Sequence, residues 1–248
     1  MIYITGDCHS DLTRFSTDNF PMQRQMTKED YVIICGDFGG VWDYIIESKR
    51  EKYWLDWLNN KNFTTLFVDG NHENFTRLYN YPVEKWNGGK VHKIRDSVIH
   101  LMRGEVFNIG GKKIFTFGGA SSHDIKDGIL NLEEQEKIYK YRKRGAQFRI
   151  RDFSWWDLEL PTKEEMQNGI LNLEKVNYEV DYIISHCAPT NVQRLISNDY
   201  NEDFLTDYLQ QIYEKTKFKK WYFGHYHENR QINEQFCMLY DDIIALRK

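Results

Sequence analysis

Cysteine and proline are scarce in this 248-residue chain, with four of each. Cys8, Cys35, Cys187 and Cys237 lie far apart and form no CxxC pair, which argues against a disulfide scaffold and against a structural thiolate–zinc site. They read as reduced, buried small hydrophobes. No Pro-rich or Ser/Gly-rich stretch and no internal repeat divides the chain, so a single domain over 1–248 is expected. Long hydrophobic runs are also missing. The longest, at 31–35 and Tyr182–Ser185, are far too short to cross a bilayer. There is no strong excess of either charge: 33 Lys and Arg face 37 Asp and Glu, a net of −4. A protein that coats nucleic acid usually shows a basic excess, so extended nucleic-acid binding is not expected, although a local basic patch is not excluded. The first residues show no basic segment followed by a long apolar one, so no secretory leader and a cytoplasmic location are expected.

Aromatics are abundant: 16 Tyr, 15 Phe and 7 Trp make up 15% of the chain and suggest aromatic-lined cores or a cleft. A chain of this length buries roughly 70–75% of its unfolded surface and needs no staple to fold. Short apolar runs at Ile2–Thr5, 31–35, 65–68, Tyr182–Ser185 and 221–223 each end in a polar cluster, the pattern of buried strands. Helical spacing at 48–58, 162–176 and 204–216 lies between them, with Thr162 and Glu165 forming a capping-box pair. Strands alternating with helices indicate an α/β fold. Val98–Leu101, Glu105–Ile109 and Lys112–Phe117 also read as strands, with Gly110-Gly111 as a hairpin turn. These suggest a second sheet, hence two sheets face to face with helices outside.

The polar clusters at the strand ends supply Asp7, His9, Asp37, Asn71, His186, His225 and His227. Loops at that end of an α/β sheet face the ligand crevice. Carboxylate, imidazole and amide donors suit Mn, Fe, Zn or Ni. Seven such groups with one bridging carboxylate can hold two metals about 3.5–4 Å apart. Taken singly, each has a bland explanation: a turn for Asn71, a satisfied core histidine for His186, a surface pair for His225 and His227. Those explanations would all have to hold together.

Asp7-x-His9, Gly36-Asp37, Gly70-Asn71-His72-Glu73, Ser185-His186 and Gly224-His225-x-His227 together resemble the calcineurin-like metallophosphoesterase superfamily. The resemblance implies a two-sheet αββα sandwich flanked by helices. It implies one metal on Asp7, His9 and His227, a second on Asn71, His186 and His225, and Asp37 bridging them. Two divalent ions, manganese foremost with iron, zinc or nickel as alternatives, would hold a bridging hydroxide as nucleophile. His72 would be the general acid. The implied activity is hydrolysis of a phosphomonoester or phosphodiester, of a phosphorylated small molecule or nucleotide, including a short oligonucleotide. The alternatives are a serine/threonine phosphoprotein phosphatase or a non-catalytic scaffold of the same fold. Such a scaffold would be expected to lack ligands that are all present here.

The chain departs from the pattern in two places. Ser10 follows His9 where relatives often have glycine. The phosphoprotein phosphatase branch resembles Gly-Asp-x-x-Asp-Arg-Gly at the second block, but Gly40 and Val41 stand where it places Asp and Arg. Other groups must then meet the substrate phosphate, and Arg77, His123, Arg149 and Arg151 are the candidates. The last two lie in a basic and aromatic stretch, 137–156, expected to belong to a cap inserted at about 121–160. Its lysines also read as a solvated helix face.

Overall fold

The computed structural model describes residues 1–197 and 199–246. In chain order its strands are β1 (Ile2–Thr5), β2 (Tyr31–Ile34), β3 (Thr64–Phe67), β4 (Val83–Trp86), β5 (Gly89–Arg95), β6 (Val98–Leu101), β7 (Glu105–Ile109), β8 (Lys112–Phe117), β9 (Gly128–Leu130), β10 (Phe148–Ile150), β11 (Tyr182–Ser185), β12 (Lys220–Phe223), β13 (Arg230–Gln231), β14 (Phe236–Met238) and β15 (Ile244–Ala245). The helices are α1 (Lys49–Asn59), α2 (Phe75–Leu78), α3 (Gln135–Lys143), α4 (Lys163–Glu174), α5 (Thr190–Ile196) and α6 (Phe204–Lys215).

Two large mixed sheets form among the described residues. One runs β15-β1-β2-β3-β6-β5-β4 and the other β13-β14-β12-β11-β8-β7. The strands β1, β2, β3 and β6 are parallel to one another, as are β8, β11, β12 and β14. These central strands are buried on both faces, which is why their sequences are continuous apolar runs rather than alternating ones. Tyr31 and Ile33 of β2 point between the sheets, where they join Leu66, Phe107, Ile114 and Ile184. Val32 and Ile34 point outward against Leu55 and Leu58 of α1. On the outside of the second sheet, Ile183, Trp221 and Phe223 pack on Leu205, Leu209 and Ile212 of α6. Ser48 caps α1, the Thr162–Glu165 box caps α4 and Asp203 caps α6, each satisfying N–H groups that a helix start leaves unpaired.

The expected architecture of two face-to-face sheets with helices outside is the one observed. One strand assignment needs correction. Val98–Leu101 does not begin the second sheet; as β6 it pairs in parallel with β3 of the first. The cause is the β4–β5 hairpin, which the apolar runs did not reveal. It turns at Asn87 and Gly88, both at positive φ as a two-residue hairpin demands, and brings the chain back beside β3. The second sheet is built instead from β7 and β8, joined at Gly110 and Gly111, with β11 and β12 alongside.

Within 121–160 lies a separate two-stranded sheet. Its β9 and β10 pair in parallel, and Leu130, Ile138 and Ile150 make a separate apolar cluster. The Lys137, Lys140 and Lys143 side chains project into solvent from α3.

A buried polar chain sits behind the strand ends. Arg103 forks onto Asp69, and it also reaches the Leu158 carbonyl and Glu165. The other Asp69 oxygen lies 3.0 Å from His100 Nε2, and His100 Nδ1 lies 3.0 Å from His92 Nδ1. Burial, with the His100 imidazole beside it, holds His92 down to about 4. The unfolded chain therefore binds this proton more readily, so folding stability is complete above about pH 6.5 and is lost as pH falls toward 4. His92→Asn removes the titration. The stability advantage of the native chain over this variant should shrink as pH drops through that window, by up to about 1.4 kcal/mol per pH unit. A difference in urea-unfolding free energy that stays flat from pH 7 to 4 would contradict the assignment.

Candidate metal centre

The C-terminal ends of β1, β2, β3, β11 and β12 deliver the polar clusters to one edge of the sandwich. Asp7 and His9 follow β1, Asp37 follows β2, Asn71 and His72 follow β3, His186 follows β11, and His225 and His227 follow β12. Five residues here hold positive φ without being glycine: His9 (46°), Ser10 (66°), Asp37 (47°), His225 (71°) and His227 (53°). Each such conformation costs about 1–3 kcal/mol and persists only where the surroundings enforce it. The enforcement is visible: Cys8 and His9 both donate their N–H to the Asp37 carbonyl, at 3.0 and 2.8 Å, so the first two loops lock one another.

Glycine is needed where backbone passes under the ligands. Gly36 has φ 96°, and a Cβ on it would stand 2.2 Å from His186 Nδ1. A Cβ on Gly224 would stand 2.1 Å from an Asp7 carboxylate oxygen. Side chains at either place would push a donor out of the cluster.

All seven expected donors converge. The ligand atoms of Asp7, His9, Asp37 and His227 lie within 4.8 Å of one another. His227 Nε2 is 3.3 Å from Asp7 and 3.0 Å from His9 Nε2. On the other side, His186 Nε2 lies 3.3 Å from the Asn71 amide oxygen and 3.4 Å from Asp37 Oδ1. The His225 ring packs 5.0 Å from that of His186. Asp37 thus turns one oxygen, Oδ2, toward His9 at 3.7 Å and the other toward His186. Oδ1 also accepts the His72 N–H at 2.8 Å.

Electrostatics at the cluster favour cations. Burial alone would raise the Asp37 carboxyl, but His186, with His72 and His9 behind it, holds it far below the ordinary carboxylate range. Burial would lower His186, but Asp37 and Asp7 raise it to about 9. Burial, with His186 next to it, pushes His225 well down, and burial lowers His9. Two carboxylates, an amide oxygen and imidazoles crowd within a few ångströms, and the proton that Asp37 and Asp7 favour on His186 is one that a cation could displace. Such a set fits one or more divalent cations of the N/O-binding kind.

The surrounding contacts orient the donors. His186 Nδ1 lies 2.7 Å from the Cys35 carbonyl, which leaves Nε2 facing Asn71 and Asp37. Arg14, not singled out from the sequence, donates to the Asp7 carbonyl and to Thr5 and Tyr240. Glu73 lies buried beneath the second loop and accepts from the Phe38 N–H at 2.8 Å, and burial raises its carboxyl well above the usual range. Ser122 accepts from the Asn71 amide nitrogen and donates to Glu159 at 2.6 Å, and Glu159 is itself pushed up to about 7 by burial. Neither Ser122 nor Glu159 was legible as a partner of Asn71, because the contacts span 51 and 37 residues of sequence.

His72 stands at the rim, its ring 5.0 Å from that of His9 and 6.1 Å from that of Trp42. Its ring nitrogens carry no hydrogen bond among the described residues, and burial lowers its proton affinity. A cavity of about 300 Å³ lies over the cluster, walled by His72, His123, Asp124 and Arg149 along with the donors His9, Asp37, Asn71, His225 and His227. Arg149 is held there by an ion pair with Asp124. Arg77 and Arg151 are not brought to this cavity. The Arg77 guanidinium forks onto buried Glu51 and the Asp43 carbonyl. Arg151 pairs with Asp157 and stacks over Trp155, 4.8 Å from the ring centre.

The profile of the calcineurin-like phosphoesterase family matches residues 1–229. A lariat debranching enzyme of Schizosaccharomyces pombe is 25% identical over 203 residues, which cover 77% of this chain and 37% of that protein. The chain therefore spans little more than a third of the length of this curated relative. Among the described residues no helix is long and apolar enough to cross a membrane.

Ser122 fixes which end of the Asn71 amide faces the cluster, and loss of such outer partners typically weakens metal sites about 10–100-fold. Ser122→Ala should reduce Mn(II) affinity within that range in a competition titration against a chelator. Unaltered affinity would mean that the Asn71 amide needs no orientation.

Proposed function

The chain belongs to the calcineurin-like phosphoesterase family, and from that premise we propose that it is a two-metal hydrolase of phosphomonoesters or phosphodiesters. As a family member it is a metal-dependent phosphoric ester hydrolase. The finer reading assigns one ion to Asp7, His9 and His227, a second to Asn71, His186 and His225, and both to Asp37. The observation that carries it is the Asp37 carboxylate, whose two oxygens face different donor groups. Manganese is the ion proposed, on donor chemistry. When bound, a pair of divalent cations lowers the pKa of water and polarises the phosphoryl group.

The protein's own groups supply the rest. The clustered donors would hold the ions, and through them the phosphoryl group, at the sheet edge. His72, whose ring nitrogens carry no hydrogen bond among the described residues, stands at the rim and is placed to give a proton to the departing oxygen. Burial lowers its proton affinity, and the negative charge of an arriving phosphate acts to restore it. Arg149 meets the phosphate oxyanion once substrate competes for its bond to Asp124. The segment at 121–160 caps the cavity in this reading, supported by Asp124 and Arg149 in its wall. A phosphorylated small molecule or nucleotide is the substrate proposed. A cytoplasmic setting belongs to the same reading, supported by four buried, unpaired cysteines.

A phosphoprotein phosphatase is disfavoured on packing grounds. A side chain at position 40 would meet the Phe38 ring at 2.3 Å, and Val41 is wholly buried, so neither place can present the acid and arginine of that branch.

Asp37→Asn should abolish metal-dependent hydrolysis of p-nitrophenyl phosphate. His72→Ala should retain metal but lose about 10²–10⁴-fold in turnover of alkyl esters, whose leaving oxygen needs a proton. A His72→Ala protein with full activity on an alkyl phosphate would remove His72 from the chemistry.

A further inference from the structure

A second cavity, of about 370 Å³, opens beside the metal centre and shares two walls with it, His123 and His225. It lies between the loop after β8 and the loop joining α5 to α6. A group bonded to a phosphorus held at the metal centre would therefore lie next to it. The volume falls at the small end of the range for organic ligands, roughly 300–1,000 Å³.

The lining says what kind of group fits. One lysine, Lys126, faces two carboxylates, Asp199 and Asp203. That balance repels a further phosphate and favours neutral N–H and O–H donors. Asp203 is engaged in capping α6 and in accepting the Ser121 hydroxyl. Asp199 is exposed and accepts only from Ser197 among the described residues, so it has acceptor capacity left. Tyr200 rests edge-on against Tyr226, with centroids 4.8 Å apart, and faces His123 at 6.4 Å. Neither the Tyr200 hydroxyl nor the His123 ring makes a hydrogen bond among the described residues. An aromatic face backed by Tyr226 and a spare carboxylate together suit a flat, donor-bearing ring.

The position relative to His72 says which part of the substrate this is. His72 lines the metal cavity but not this one, and it stands with His9 and Trp42. The shared wall His225 belongs with His186 in the other donor group. The substituent in the second cavity is therefore not the one whose oxygen receives the proton. A phosphorus served by both cavities would carry two organic groups, one departing beside His72 and one retained. Resting on the hydrolase reading above, we infer that the substrate is a phosphodiester and that this cavity holds its retained substituent, an uncharged, nucleoside-sized group with a flat ring. In the reaction the oxygen of water bonds to phosphorus, the bond from phosphorus to the departing oxygen breaks, and that oxygen gains a proton. The retained group leaves as a phosphomonoester.

The test compares two esters with the same leaving group, p-nitrophenyl phosphate and the p-nitrophenyl ester of thymidine 5′-monophosphate, on the Mn(II)-loaded protein. The nucleoside ester should have the higher kcat/KM. Tyr200→Ala should lower the ratio of the two kcat/KM values about tenfold or more, chiefly through KM, as loss of a stacking platform does. Tyr200→Phe, which keeps the ring, should preserve the ratio. Thymidine 5′-monophosphate should also inhibit the unmutated protein more tightly than inorganic phosphate, a comparison that needs no variant. Turnover of both esters with no preference for the nucleoside, or a ratio that Tyr200→Ala leaves in place, overturns this inference and leaves the hydrolase reading standing. Turnover of neither ester overturns both.

Discussion

The carboxylate of Asp37 is the point on which the structure turns. It is buried, held ionised by His186, and aims its two oxygens at different sets of donors. A buried charge of this kind is costly unless it is paired. Here the pairing comes from imidazoles on both sheets and from the His72 backbone N–H. The strained loops, the glycines beneath the ligands and the interlocked first and second turns all keep that one group in place. A divalent cation on each side would meet the charge more fully than any imidazolium.

The fold supplies this arrangement by bringing parallel strands of two sheets to a common edge. The order of the blocks along the chain is unimportant; what counts is that β1 and β2 lie side by side in one sheet and β11 and β12 in the other. The loops after each then meet across the sandwich. Asp69, just past β3, ties the same edge to the interior through His100 and Arg103, and its carbonyl accepts from Gly119 at the start of the loop after β8. The edge carries the donors, while the segments at 123–150 and 199–203 bring Asp124, Arg149, Asp199 and Tyr200 around the cavities.

What the sequence made legible follows from how local each signal is. A buried parallel strand is a short apolar run, so β1, β2, β8 and β11 could be read almost to the residue, and the donors stood directly after such runs. Sheet membership was less accessible, because it depends on partners. Val98–Leu101 reads the same in either sheet, and the Asn87-Gly88 turn that sends it to β3 follows a strand, β4, whose residues are largely exposed. The same limit governs long side chains. Arg77 has helical spacing toward the site, but a carboxylate 26 residues upstream, Glu51, takes its guanidinium. Arg149 and Arg151 are two residues apart on an extended segment, yet one lines the metal cavity and the other pairs with Asp157. Alternation along a strand would put both on one face, but β10 ends at Ile150, and the turn that follows, with Asp152 at positive φ, leaves Arg151 beside Asp157 and Trp155, a departure that the sequence does not announce.

Metal content is the most direct measure of the central claim, since it depends on neither substrate nor leaving group. Protein reconstituted with Mn(II), freed of loose ion and assayed by elemental analysis should hold two ions per chain. The Asp37→Asn protein should fail to hold the pair. A native chain that retains one ion or none after saturation would contradict the shared-carboxylate centre.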